Sequence, residues 1–442
     1  MDNINDILKE MGLNSIDDLF SDIPPNLKIS SMGLDAGLSE DEVRRKAMEY
    51  ASMNKTITQY HSFLGFGAYN HYVPAIISAI ISRGEFLTAY TPYQAEISQG
   101  IMQALWEYQS LMAELLDMDA VNSSNYDVST ALGEAIRMAV NITDKNEVLI
   151  PKFTHPFKKS VARLYARGSN INLVEYPFDE SGKIDLEFLK NNVNENTAAV
   201  YVEYPNMFGI IDENVAAVKE IIGDQRIMIA GVNPIALGIL TPPGELGADI
   251  AIGDGQVFGL GLNFGGPMLG IFGTRMEYIR KMPGKIMGVT KDSNGKLAFA
   301  MILQTREQHI RRERAVTNMT SNMGLMAVAS AIYVSLLGES GLKKLGEINM
   351  GLTNNLIERI KDFGIDMPFQ GSPVFNEFYM KLKVSKTYLN LAARKSRVIP
   401  GAILGQEFGF DTRKEVNMIT NVTERNTKED FDAFMEFLGK VI

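Results

Sequence analysis

The sequence predicts an α/β fold: a mostly parallel sheet with helices on both faces, a helical N-terminal arm and a small α+β C-terminal domain. Three observations predict it. Apolar strand-like runs alternate with helical segments from about residue 147 to 252, which is the rhythm of repeated βα units. The link from Gly253 to Pro267 holds six glycines and no helical pattern, so it cannot host a crossover helix. The strand after it must therefore pair antiparallel with its predecessor. Beyond about residue 320 the rhythm changes to helices first and strand candidates later. The divisions expected are 1–60, 61–320 and 321–442.

The 442 residues are enough for two or three domains. With no cysteine there is neither a disulfide framework nor a thiolate site. No metal-ligand spacing, P-loop or Ser/His/Asp set stands out. The net charge of −10 argues against general nucleic-acid binding. No apolar run looks long enough to span a membrane, and the acidic start Met1-Asp-Asn-Ile-Asn-Asp is unlike an export signal. The expected location is the cytoplasm.

The arm comes first. Ile4, Leu8, Ile16, Leu19 and Phe20 suggest short amphipathic helices that Pro24-Pro25 breaks. Ser39-Glu-Asp-Glu42 is a capping box for the next helix. A loop, Phe63–Pro74, precedes Thr88-Ala-Tyr-Thr-Pro-Tyr-Gln94. There Thr91 suits an N-cap, Pro92 the first helical position, and Gln94 the closing residue of a capping box. Ile97, Ile101, Leu105, Tyr108, Met112 and Leu115 then line one helical face. On that reading Tyr90 and Tyr93 sit at a helix N-terminus, where outward amides favour anions. Asp127 reads as the N-cap of the following helix, and a carboxylate there would occupy amides and repel a phosphate.

Strands are expected at 147–150, 171–174, 198–203, 226–232, 249–252 and 268–272, with helices near 156–167, 185–193 and 212–222. The later part offers helices from Gly324 to Leu337 and onward to about Phe363, strands at 374–382 and 415–422, and a helix from Lys428 to Leu438.

Two patterns carry possible chemistry. The strand ending at Ile252 meets a glycine-dense loop bearing Gln256. Separately, Arg275 to Arg314 holds ten cations against four acids. It suits a solvated face with helical pairs such as Glu307 to Arg311, or a dock for an acidic partner or phosphate. Within it, Arg306, His309, Arg311 and Arg312 are candidates for carboxylate, phosphate or partner binding, because arginine suits planar bidentate recognition.

The chain resembles the N-terminal subunit (subunit 1) of the glycine-cleavage P protein. The resemblance runs through Ile16-Asp-Asp-Leu-Phe-Ser-Asp-Ile-Pro, Phe63-Leu-Gly, Tyr69-Asn-His-Tyr-Val-Pro, Glu85-Phe-Leu-Thr-Ala-Tyr-Thr-Pro-Tyr-Gln and Glu96-Ile-Ser-Gln-Gly100. It continues through Pro242-Pro-Gly-Glu-Leu-Gly-Ala-Asp, Phe264-Gly-Gly-Pro and Thr305-Arg-Glu-Gln-His-Ile-Arg-Arg-Glu313, so it spans essentially the whole chain. It implies the large domain of a pyridoxal-phosphate (PLP) transferase of the aspartate-aminotransferase type, fold type I. The implied activity is glycine decarboxylation with transfer of the aminomethyl group to the lipoyl arm of H protein. The implied partner is a second subunit that carries the PLP lysine, in a heterodimer or heterotetramer. Relatives place that lysine where this chain has Gln256, and an amide cannot form an imine. Asn233 lies about where relatives keep an aspartate for the pyridine nitrogen. Tyr90, Thr91, Tyr93, Gln94 and His71 are then the candidates to complete the partner's site. Two alternatives stay open: an independent PLP enzyme with an unusual lysine, and a non-catalytic scaffold or regulatory subunit.

Overall fold

The computed structural model describes residues 2–442. It divides into two compact units, Met1–Thr56 and Ile57–Ile442. In the first, helices span Asp2–Glu10 and Glu40–Ser52, and Ser39 and Glu42 form the expected capping box.

In the second unit the first long helix, α1 (Gln99–Leu116), begins later than the sequence predicts. Thr91 is not its N-cap. The Tyr93 amide donates to the Thr91 carbonyl at 2.9 Å, closing a tight turn on Pro92. A 3-10 turn, Ala95–Ile97, follows before the helix starts. Ile97 therefore stays 81% exposed, and the buried face consists of Met102, Leu105, Tyr108, Met112 and Leu116. Tyr90 and Tyr93 accordingly lie on a loop, not at a helix N-terminus.

The next elements alternate as expected: β1 (Ala120–Val121), α2 (Val128–Thr143), β2 (Glu147–Pro151), α3 (Pro156–Gly168), β3 (Asn172–Tyr176), α4 (Leu186–Asn192), β4 (Thr197–Tyr204), α5 (Val215–Ile222), β5 (Ile227–Val232), β6 (Ile250–Asp254) and β7 (Gly270–Thr274). Together the strands form one sheet in the order β1-β7-β6-β5-β4-β2-β3. Strands β2 to β6 pair in parallel, while β7 runs antiparallel to both β6 and β1. The glycine-rich link thus behaves as predicted. Both faces of β4 are buried: Ala199 and Tyr201 join the core under α2, and Val200 and Val202 join the core under α1. Two covered faces explain its unbroken apolar run.

The sequence reading gives no strand between 274 and 320, yet β8 (Ile286–Lys291) and β9 (Leu297–Ile302) form an antiparallel hairpin there. Two glutamines of α1 clip it. Gln109 brackets the backbone of Met287, receiving its N–H at 2.9 Å and donating to its carbonyl at 3.0 Å. Gln99 does the same for Phe299, at 2.8 and 2.9 Å.

Helix α6 (Gly324–Ile360) breaks at Gly338, whose φ is +61°. The stretch Gly324–Phe363 is long and apolar enough to cross a membrane by length and composition. Its first part, however, buries Ala327, Val328 and Tyr333 in the same core as α1, and the helix bends at Gly338, as a core helix does. Beyond it, β10 (Glu377–Leu382), α7 (Lys386–Ser396), β11 (Ala402–Leu404), β12 (Val416–Asn421) and α8 (Lys428–Val441) follow. The sheet order is β10-β12-β11, all antiparallel. Phe63, Leu356, Phe378, Met418, Phe434 and Phe437 fill the core beneath it.

One glycine ties the loop after β4 to β10. Gly209 has φ +78°, and a Cβ there would lie 1.9 Å from the Glu377 carbonyl oxygen. Gly209→Ala should therefore lower stability by more than about 2 kcal/mol. An unchanged thermal midpoint would contradict this close approach.

Candidate functional site

A crevice opens at the carboxyl ends of β4, β5 and β6, where open α/β sheets commonly bind ligands. Its lining includes Phe66, His155, Lys158, Glu203, Asn233, Gln256 and Glu377, around a cavity of about 80 Å³. Ligand pockets are commonly ~300 Å³ or more.

Gln256 sits in the 3-10 turn after β6 and is 1% exposed. Its Nε2 donates to the carbonyls of Tyr69 at 3.0 Å and Leu260 at 2.8 Å, and its Oε1 accepts from the Tyr69 amide at 2.9 Å. Both side-chain N–H groups are engaged. The amide fastens the Phe66–His71 segment across the crevice mouth.

Carboxylates occupy the start of α2. Asp127 caps α2 as expected, accepting from the Thr130 amide at 2.8 Å. The Asp254 Oδ2 accepts from the Val128 amide at 3.2 Å. Phe66 covers the His155 ring, with centroids 4.4 Å apart. Asn233 lines the crevice, and its Oδ1 accepts from the Ile235 amide at 3.1 Å, so its side chain serves a local turn.

A group of acids lies behind these residues. Glu377 accepts from the Phe66 amide at 2.5 Å and from the Tyr69 hydroxyl at 2.9 Å. Glu203 accepts from Lys158 and from the Tyr201 hydroxyl, both at 2.9 Å. Burial pushes the Glu377 carboxyl up to about 7 and the Asp254 carboxyl up to about 6. Sequence reasoning missed Glu377, though an acid inside the apolar run of β10 was a signal. This lining does not fit PLP: the loop after β6 offers the bonded Gln256 amide, which cannot form an imine, Phe66 covers His155, and Glu203, Asp254 and Glu377 make the crevice acidic.

The other candidate residues gather elsewhere. Tyr90 is 78% exposed and Tyr93 48% exposed, beside an exposed Gln94. They line an open cleft of about 640 Å³ with Glu85, Thr91 and Ile101. The Tyr93 ring meets His309 edge-on at 5.7 Å, so the Tyr-Thr-Pro-Tyr loop and the Thr305–Glu313 segment touch. Behind Tyr93, Lys285 and Glu307 form an ion pair of 2.7 Å, and both are almost completely buried. The sequence reading pairs Glu307 with Arg311 and counts Lys285 only within the basic stretch. Taking two ions out of water costs several kcal/mol each.

Three expectations change. Arg306 is buried, and its guanidinium donates to the carbonyls of Leu303, Met282 and Gly284, so it braces the hairpin and offers no anion site. Burial lowers it to about 10. Glu307 pairs with Lys285, not Arg311, whose Nε donates to the Thr305 carbonyl at 3.0 Å. His71 is buried, with its Nδ1 2.8 Å from Glu424, while the Tyr72 amide donates to the same carboxylate at 2.6 Å. It holds its loop to the C-terminal sheet region and lies off the surface. Arg311 and Arg312 remain exposed beside the Tyr93 cluster.

Comparison with known proteins gives consistent findings. A sequence model of the family described as "Glycine cleavage system P-protein" matches residues 2–438. A protein of Staphylothermus marinus, "Probable glycine dehydrogenase (decarboxylating) subunit 1", is 46% identical over 99% of this chain and 95% of its own. Its counterpart of the same name in Thermococcus kodakarensis is 44% identical over 99% and 96%. Among solved structures, an inhibitor-bound glycine decarboxylase (P-protein) of the glycine cleavage system superposes with a TM-score of 0.89 at 33% identity, covering 100% of this chain and 98% of that one. A NifS-like protein shares the fold at a TM-score of 0.62 and 14% identity, covering 86% and 99%.

The buried acids have a measurable consequence. The Glu377 carboxyl titrates above its ordinary 4.5 because it is buried. The folded chain therefore binds a proton that the unfolded chain releases as pH rises from about 4.5 to about 7. Stability is complete below that window and falls across it, by on the order of 3 kcal/mol for this group. Glu377→Gln should thus raise the thermal midpoint more at pH 8 than at pH 5. A pH-independent difference would contradict the assignment.

Proposed function

The chain belongs to the glycine cleavage system P-protein family, and from that premise we propose how it divides labour with a partner subunit. It works as subunit 1 of a heteromeric glycine-decarboxylating enzyme. In this reading the second subunit carries the lysine that binds PLP, which supplies the electron sink for decarboxylation. The aminomethyl group leaves on the lipoyl arm of H protein, and the complex works in the cytoplasm.

The observation that carries this reading is the bonded Gln256 amide in a crevice too small and too acidic for the cofactor. The exposed Tyr90–Gln94 loop supports the other half. It offers two phenols and the Gln94 amide around an open cleft, while the Thr91 hydroxyl is buried. These groups would bind and orient substrate at the partner's site. His71, tied to Glu424, would hold the neighbouring loop. Exposed Arg311 and Arg312, with His309, would receive an acidic partner surface such as that of H protein.

Borohydride reduction with PLP, followed by mass spectrometry, tests the division directly. Label should appear only on the partner, and decarboxylation only in the mixture; label on a lysine of this chain would overturn it. In the assembled complex, Tyr93→Phe should slow glycine–bicarbonate exchange by about tenfold or more without changing the elution volume. Changing Arg311 and Arg312 to alanine should raise the apparent KM for H protein. Unaltered kinetics in both variants would return these residues to ordinary surface.

A further inference from the structure

We propose that Lys285 is a positioning residue for the reaction, setting the Tyr93 phenol through a cation–π contact; this rests on the reading that Tyr93 reaches the partner's site. The Lys285 side chain is 2% exposed, and its Nζ donates to Glu307 Oε2 at 2.7 Å. The same nitrogen lies 5.3 Å from the centroid of the Tyr93 ring. His309 meets that ring edge-on, with the planes at 74°. Two sides of the ring are thus gripped, while nearly half of Tyr93 stays exposed.

The anchoring continues inward. The Lys285 carbonyl accepts from the Ser123 amide at 2.8 Å and from its hydroxyl at 3.0 Å. Ser123 lies between β1 and α2, so the lysine registers the Tyr93 loop against the main sheet. A buried ion pair is a poor stabiliser compared with apolar side chains of similar volume. An ammonium held at a ring face, by contrast, confers orientation. Glu307 Oε2 fixes the ammonium, and its Oε1 has no partner among the described residues. The pair therefore serves the placement of one charge and is not a closed network of its own.

The test is a double-mutant cycle in the complex of this chain with its PLP-bearing partner, read by glycine–bicarbonate exchange with lipoylated H protein. Lys285→Met combined with Glu307→Gln removes both charges, so neither is left alone in the interior. With Tyr93 present, kcat/KM should fall about tenfold; in a Tyr93→Ala background the same change should cost less than about twofold. Lys285→Arg, which keeps a cation over the ring, should stay within about twofold of the parent. An equal fall in both backgrounds, no fall at all, or a tenfold loss in an intact Lys285→Arg complex would overturn the proposal. Undiminished exchange in the Tyr93→Ala complex would instead overturn the reading of Tyr93 on which it rests.

Discussion

One buried amide governs the crevice at the end of the sheet. Gln256 presents two donors and an acceptor, and the Tyr69 backbone takes one of each. A flexible ammonium could not reproduce that reciprocal pair, because lysine has no acceptor. The segment from Phe66 to His71 is consequently laid across the mouth, which brings the Phe66 ring onto His155 and the Tyr69 hydroxyl onto Glu377. Most of what is unusual about the crevice follows from that fastening.

The acids behind it set the pocket's electrostatics. Glu377 and Asp254 are each served by backbone amides, yet burial still holds both carboxyls above their ordinary range. Lys158 answers only Glu203 directly. Such a pocket is electrostatically suited to retaining protons and poorly suited to an anionic ligand. Apolar and phenolic surface stands open instead at the loop before α1.

Much of this was legible in the sequence because it is local or periodic. Strands buried on both faces must be apolar throughout, which made β2, β4, β5 and β6 readable. Asp127 declared itself as a cap, and Gln256 by its place in a glycine-dense loop. The misreadings share a tertiary cause. The turn on Pro92 uses the Thr91 carbonyl where a helix would have used the side chain. The hairpin β8–β9 buries Met287, Phe299 and Met301 but carries exposed Lys291 and Lys296 at its turn, so its residues read as a basic stretch. The Lys285–Glu307 partnership spans 22 positions and depends on the hairpin's return. Arg306 was taken for a ligand-binding arginine because its carbonyl acceptors lie in the turn before β8 and at the end of β9.

The glutamine clips have a consequence for solubility. A two-stranded ribbon presents two unpaired edges, each able to recruit a further strand. Met287 lies on one outer edge and Phe299 on the other, opposite Met301 and Val289 in the ladder. Gln109 and Gln99 consume the outward amide and carbonyl of each. One helix thus covers one residue on each edge of the ribbon, beside the exposed Lys291 and Lys296, and both devices oppose edge-to-edge pairing.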